Sequence, residues 1–307
     1  MRKTSPLPRP NLSGFVRPML LTRSQTLLAV ALCFVSFTAM AQRNFDTVQI
    51  KSTEVAGNIH MLEGSGGNIA VSVGLDGSLM VDTQFAPLSG KIAAAIESLG
   101  HGQPKFVINT HSHGDHTGGN AHFGTNASIV AHKNVRVRLG EQKGTEKAAL
   151  PKVTYGDTMS MHFNGEEIRL IHIGPGHTDG DTIIHFTQSG VFHMGDLFFN
   201  GKFPFVDQGS GGSVEGEIKN IEAALKLIPE SAKIIPGHGP LATRSDLVTF
   251  QGMLTETVGV VRNAIKAGKS LADVKTAGLD EKWKDWGTGF INTQRWLEIV
   301  YNNLTQK

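Results

Sequence analysis

The chain carries a single cysteine, Cys33, in 307 residues. It falls in an N-terminal stretch that reads as a removable leader, so the mature protein is expected to have no thiol. Disulfides and thiolate ligands are thereby excluded, and any metal must be held by nitrogen and oxygen donors. Long hydrophobic runs are missing as well. The apolar stretch Leu27 to Phe37 is shorter than the roughly 20 residues of a membrane-spanning helix. No Gly-x-Ser-x-Gly motif presents a serine nucleophile. The run Gly209-Ser210-Gly211-Gly212-Ser213 lacks a following Gly-Lys-Ser/Thr, so it is not a phosphate-binding P-loop; it reads as a loop beside the functional groove. There is no low-complexity tail and no linker, which leaves one large domain after the leader.

The leader has a clear pattern. Arg2, Lys3, Arg9, Arg17 and Arg23 precede the apolar run with no acidic residue among them, and the run ends in Ala39-Met40-Ala41. That is the pattern of an export signal, with cleavage expected after Ala41 and Met19 as an alternative start. Residues 1–41 are thus assigned to the signal, 42–307 to the folded domain, and the product to the periplasm or the exterior. A retained membrane anchor is the competing reading. The precursor has 29 basic and 27 acidic residues, and the leader holds five of the basic ones. The mature chain keeps 24 against 27, a net charge of −3 with His neutral. No electrostatic argument for nucleic acid or anionic membrane survives.

What the chain does have is glycine, 36 residues, above the usual share of about 7%, which predicts many tight turns. Strands are expected at Val48 to Val55, Asn58 to Glu63, Asn68 to Val73, Ser78 to Asp82 and Phe106 to Ile108, with a helix over Leu88 to Leu99. Further strands are expected at Ser128 to Ala131, Met159 to Phe163, Glu167 to Ile173, Asp181 to Phe186, Val191 to Met194 and Lys233 to Ile235. His132 to Leu139 and Val214 to Ile228 read as helices. From Ser245 the pattern is helical, with a break near Gly268 and one closing helix over Asp280 to Leu304. Strands then helix, twice over, predict an α/β (α+β) fold in which two sheets face each other between outer helices.

The chemistry concentrates in Thr110-His111-Ser112-His113-Gly114-Asp115-His116, where four metal-binding side chains occur within six residues after an apolar strand. Extended backbone alternates sides, so His111 and His113 share one direction. The turn at Gly114 sends Asp115 and His116 toward a second position. Imidazole and carboxylate suit zinc. His177 in Gly176-His177-Thr178, Asp196 in Gly195-Asp196 and His238 in Gly237-His238-Gly239 each stand in a glycine-flanked turn after a predicted strand, where rigid scaffolds present functional groups.

These motifs, in this order and at roughly these spacings, resemble the metallo-β-lactamase superfamily, and the resemblance runs from about Val48 to Ala267. It implies a four-layer αβ/βα metallo-β-lactamase sandwich with the metals in a groove along one edge of the sheets. It assigns His111, His113 and His177 to one zinc, Asp115, His116 and His238 to a second, and Asp196 to a bridge. Asp82 would support the metal loop from behind. The implied chemistry is attack by metal-activated hydroxide on a small-molecule carbonyl substrate, a β-lactam, lactone, ester or thioester, with Asp115 orienting the nucleophile.

Several features remain open at this level. The glycine-rich Glu63 to Gly67 is either a loop over the substrate or a wide hairpin turn. Lys202 reads as a substrate-carboxylate ligand or a solvated lysine. Phe198, Phe199, Phe203 and Phe205 wall a pocket or fill the core. Trp283, Trp286 and Trp296 read as packing, and the remaining histidines as structural, with His193 near Asp196 the one of interest. Asp196 stands where cysteine-dependent lactamases carry a Cys, and its pairing with His116 is typical of glyoxalase-II-like thioesterases and lactonases. A promiscuous low-activity β-lactamase is one alternative. A mononuclear iron enzyme resembling persulfide dioxygenases is another, and a non-catalytic binding module a third. Oligomeric state is left open.

Overall fold

The computed structural model describes residues 44–100 and 102–306; the expected leader over residues 1–41 and His101 lie outside them. The elements belong to one unit, Phe45–Lys307. Strands β1 (Lys51–Ala56), β2 (Ile59–Glu63), β3 (Ile69–Gly74) and β4 (Gly77–Val81) precede helix α1 (Ser89–Ser98). β5 (Phe106–Asn109) leads into two one-turn helices, α2 (Gly114–Thr117) and α3 (Asn120–Phe123). β6 (Ser128–His132), α4 (Lys133–Glu141) and β7 (Val153–Tyr155) follow. β8 (Thr158–Phe163), β9 (Glu166–Ile171), β10 (Ile183–Phe186) and β11 (Val191–His193) come next. The chain closes with α5 (Val214–Leu227), β12 (Lys233–Ile235), β13 (Ala242–Thr243), α6 (Arg244–Lys266), α7 (Leu271–Ala277) and α8 (Thr293–Thr305).

The strands form two sheets without mixing: β1 to β7 in sequence order, and β13-β12-β11-β10-β9-β8. Pairing is antiparallel from β1 to β4, then parallel through β5, β6 and β7. In the second sheet β11 and β12 are the parallel pair.

Alternation along each strand explains the four layers. In the first sheet Met61, Ala70, Leu79, Val81, Ile108 and Val130 meet Ile168, Leu170, Ile184, Phe186 and Ile235 of the second in a central core. Their neighbours Leu62, Ile69, Val71, Met80, Val107 and Ile129 point the other way, against Ile92 and Ile96 of α1. On the outer face of the second sheet Ile183, Phe192 and Ile234 pack with Ile221 of α5, Phe250 of α6 and Trp296 of α8. The αβ/βα sandwich is therefore observed as expected.

The expected closing helix over Asp280 to Leu304 is corrected. A 3-10 segment, Glu281–Thr288, stops at Gly289, and α8 restarts at Thr293 with the Asn292 side chain accepting from Arg295 N–H as its cap. The Gly287-Thr288-Gly289 stretch and a strong N-cap outweigh the apolar periodicity. Two short strands, β7 and β13, escape the sequence pattern. Trp296 is fully buried, and Trp283 and Trp286 pack partly buried against the same core.

Candidate metal centre

All seven expected ligands converge at one edge of the sandwich. His111 to His116 follow β5, Asp196 follows β11 and His238 follows β12, while His177 stands in the turn joining β9 to β10. Backbone bonds knit these turns together. Thr182 N–H donates to Thr110 O, Gly237 N–H to Gly195 O at 2.7 Å, and Asn68 N–H to Gly237 O. The turns meet so closely that glycine is required at two places. A Cβ on Gly67 would lie 2.1 Å from His116 Cε1, and one on Gly237 2.1 Å from Asp196 Oδ1. The Glu63 to Gly67 segment thus lies directly on the His116 ring, with Gly67 N–H bonded to Asp115 O and Gly67 O to the Gln84 amide. That packing, beyond the needs of a hairpin, puts it beside the site.

The donor atoms form two groups, His111, His113, His177 and Asp196 in one and Asp115, His116 and His238 in the other, each within 4.8 Å. Asp196 joins them. Its Oδ2 lies 3.8 Å from His111 Nε2 and 3.5 Å from His177 Nε2, while Oδ1 lies 3.0 Å from His116 Nε2 and 3.4 Å from His238 Nε2. Asp115 Oδ2 lies 3.4 Å from His238 Nε2.

Four of the five rings are oriented from behind. The Asp82 carboxylate accepts from Thr110 N–H and the Thr110 hydroxyl, and its Oδ2 takes the His116 Nδ1 proton at 2.7 Å. Asp82 holds this position at φ 64, an uncommon backbone state for a residue with a side chain. Thr110 gives its one proton to Asp82, so at 3.0 Å it accepts from His111 Nδ1–H. His177 Nδ1 donates to Phe205 O, and His113 Nε2 donates to Asp207 at 2.9 Å. These bonds fix the tautomers, leaving Nε2 of His111, His116 and His177 and Nδ1 of His113 as lone-pair donors toward the centre.

The donor set fits metal. His111 Nε2, His116 Nε2 and Asp196 Oδ1 are buried with no hydrogen-bond partner. His116 Nε2 and Asp196 Oδ1 are 3.0 Å apart without hydrogen-bond geometry, and although burial lowers the His116 imidazole, Asp196, Asp82 and Asp115 raise it well above its usual value. Such orphaned atoms are costly unless a cation takes them. Burial alone would raise the Asp196 carboxyl, but His238, His116, His177 and His111 hold it well below the usual range. Burial depresses His177 to about 4 and lowers His111 too, where His116 adds to the effect. Both imidazoles are therefore neutral at physiological pH, the form that binds metal.

Other expectations sort themselves. Phe198, Phe199 and Phe203 are core, Phe199 also stacking on His238, and Phe205 packs partly buried beside His113. His193 is buried and structural: its Nε2 bonds Asn68 O and its Nδ1 accepts from Gly195 N–H. Lys202 lays its aliphatic stem near Gly289. The Gly209 to Ser213 loop lies against the first group, where Asp207 N–H donates to His177 O and Gly212 N–H to Asp207 O. Beyond His113, Ser210 and Arg138 help line a cavity of about 290 Å³, with the Arg138 guanidinium bonded twice to Asp179.

Two groups were not singled out from sequence. Asp207 is signalled only by the glycine-rich run after it. Glu217 of α5 is fully buried with both oxygens unpartnered, one of them against Gly176. Burial and then the charges of Asp181 and Asp196 push its carboxyl well above the usual range.

Comparison with known proteins agrees with this geometry. Residues 53–238 match the metallo-beta-lactamase superfamily, and the chain belongs to it. The 2,4-dinitroanisole O-demethylase subunit alpha of Nocardioides sp. (strain JS1661) is 30% identical over 205 residues, covering 65% of this chain and 61% of that one. A hydroxyacylglutathione hydrolase of Pelagibacter ubique is 30% identical over 139 residues, 44% of this chain and 51% of that one. The chain thus spans roughly half to three-fifths of the length of these relatives. A solved metallo-beta-lactamase from Pontibacter korlensis superposes with a TM-score of 0.60 at 17% identity, covering 67% of this chain and 99% of that one, a likeness of fold alone. Family, fold and donor cluster together define a protein of the metallo-beta-lactamase superfamily with a candidate metal centre.

Proposed function

We propose that this is an exported hydrolase with two zinc ions per chain, released after cleavage at Ala41 into the periplasm or the exterior, that cleaves an ester, thioester or lactone bond of a small carbonyl substrate. The observation that carries the reading is the division of the Asp196 carboxylate, one oxygen toward each donor group. His111, His113 and His177 would hold one ion, Asp115, His116 and His238 the other, and Asp196 both. Zinc supplies Lewis acidity toward a carbonyl oxygen and lowers the pKa of bound water to about 7. Relatives named as hydroxyacylglutathione hydrolases favour an acyl compound over an antibiotic.

The chain's own groups divide the remaining work. Hydrolysis requires the attacking water to lose one proton and the leaving atom to gain one. Asp115 is suited to this transfer, because its side chain is 26% exposed at the opening. Burial raises its carboxyl, but His116 and His238 more than offset that and lower it, so it is ionised and suited to orient the attacking water as a hydrogen-bond acceptor. Asp82, Asp207 and the Phe205 carbonyl keep the imidazoles in one orientation, so the site is set before substrate arrives.

The test is elemental analysis of the purified protein with hydrolysis of a thioester, a lactone and a chromogenic cephalosporin. Two zinc per chain with thioester or lactone turnover, lost in Asp115→Ala, is expected. Cephalosporin turnover alone would make the protein a lactamase in practice, and one iron per chain without hydrolysis would overturn the proposal.

A further inference from the structure

The hollow beside His113 takes no part in holding metal. Ser112, Arg138, Glu141, Gln142 and Ser210 line it with His113, and no apolar side chain does. Ser112 is buried while Glu141 and Gln142 are exposed, so the hollow runs from the metal loop out to solvent. Its volume is about 290 Å³. Whole ligands occupy pockets of roughly 300–1,000 Å³, so this one suits a substituent and not an entire substrate.

Three elements build it: α4, the turn between β9 and β10, and the loop after Asp207. Arg138 of α4 is held along one edge only, its Nε donating to Asp179 Oδ1 at 2.7 Å and its Nη2 to Oδ2 at 2.6 Å. Asp179 is itself fixed, for its N–H donates to Ser210 O and its carbonyl accepts from the Asn134 amide. The loop closes on this pair through Gly211 at φ 75, where a Cβ would lie 2.9 Å from Asp179 Cβ and 3.2 Å from Arg138 Nη2. Among the described residues, Arg138 Nη1, the Ser112 and Ser210 hydroxyls and the Gln142 side-chain amide have no hydrogen-bond partner. The same loop serves the metal centre: the Asp207 carboxylate accepts from His113 Nε2, and Asp207 N–H donates to His177 O. Whatever occupies the hollow is thereby set in register with the first donor group.

The free groups are mostly donors, so a ligand that accepts hydrogen bonds matches them. A full negative charge matches poorly. Asp179 already offsets Arg138, and Asp207 and Glu141 act on the same guanidinium. Glu141, the one carboxylate in the lining, instead offers an acceptor to an N–H. An uncharged amide meets both demands, with its carbonyl against the open edge of Arg138 and its N–H toward Glu141. Resting on the hydrolase reading above, we propose that the hollow is a substrate subsite for an uncharged amide group, a carboxamide or peptide bond, carried by the substrate away from its scissile carbonyl.

The test uses the zinc-loaded mature protein and three series of thiols, with tethers of about two to four methylenes ending in carboxamide, carboxylate or isopropyl. The thiol is a common anchor for metal, the endings are close in size, and affinities are measured calorimetrically. At the best tether wild type should bind the carboxamide at least about tenfold more tightly than the isopropyl thiol, and more tightly than the carboxylate. Arg138→Lys keeps the charge without the planar fork and should cut that preference below about threefold. Ser210→Ala removes a hydroxyl that bonds nothing in the protein and should cut it about twofold to fivefold. Glu141→Gln should tighten the carboxylate about twofold to fivefold. Equal affinity for carboxamide and isopropyl at every tether, a carboxylate bound most tightly, or a preference untouched by both Arg138→Lys and Ser210→Ala overturns the subsite and leaves the hydrolase reading standing. Failure of every thiol to bind wild type overturns that reading and the subsite with it.

Discussion

The two donor groups share Asp196 yet are built differently. The first is held by several partners: His111 by Thr110, His177 by the Phe205 carbonyl and His113 by Asp207, whose own backbone also bonds the His177 turn. The second relies on fewer. His116 is fixed by the fully buried Asp82, while Asp115 and His238 stand a quarter exposed at the opening. Distributed support makes one position robust to single changes. Concentrated support makes the other dependent on one carboxylate.

The largest effect should come from breaking what the positions share. Asp196→Asn is expected to weaken metal binding at both by more than about 100-fold, since losing a direct ligand exceeds the ~10–100-fold typical of an outer partner. Competition with a chromophoric chelator measures this, and retention of either position at wild-type affinity would break the bridge. Asp82→Asn should separate the two. The second position is expected to weaken about 10–100-fold and the fold to lose about 1–3 kcal/mol from the disrupted Thr110 and His116 bonds, read by the same competition and by denaturant unfolding. Asp207→Asn should cost less, about tenfold at the first position alone, because Thr110 and the Phe205 carbonyl still orient its companions. A larger loss than in Asp82→Asn would reverse the comparison.

The smallest expected effect lies beneath both positions. The Glu217 carboxyl is raised in the folded protein, so the native state binds its proton more tightly than the unfolded state. The stability this confers is full below the unfolded value, near 4.3 for Glu, and is lost as pH rises toward the raised native value. Glu217→Gln should therefore raise Tm at pH 7 to 8 by about 2–4 °C, on the order of 1 kcal/mol. The gain should vanish near pH 4. Thermal melts across pH measure it, and a pH-independent difference would point to packing instead.

Much of the architecture is legible from alternation and glycine. Strands such as β4 and β10 bury both faces, so their apolar runs stand out, and every ligand turn is announced by a glycine beside a metal-capable side chain. What the chain hides has physical causes. β13 is two residues long and owes its pairing to β12. The closing helix is cut at Gly289 by local cap chemistry that periodicity overlooks. Asp207 meets His113 across 94 positions of sequence, and no local pattern encodes so distant a contact. Glu217 sits on an ordinary amphipathic helix, where a glutamate reads as solvated until the turn above it is seen.

The separation of the sheets has a consequence for assembly. Residues up to Tyr155 build one sheet and those from Thr158 the other, so the chain passes between them once, at Gly156-Asp157. His111, His113, Asp115 and His116 belong to the first half, and His177, Asp196 and His238 to the second. Neither half owns a complete ligand set. An ion held at this edge would therefore tie together, through its ligands, two separately wound pieces that the central core already joins.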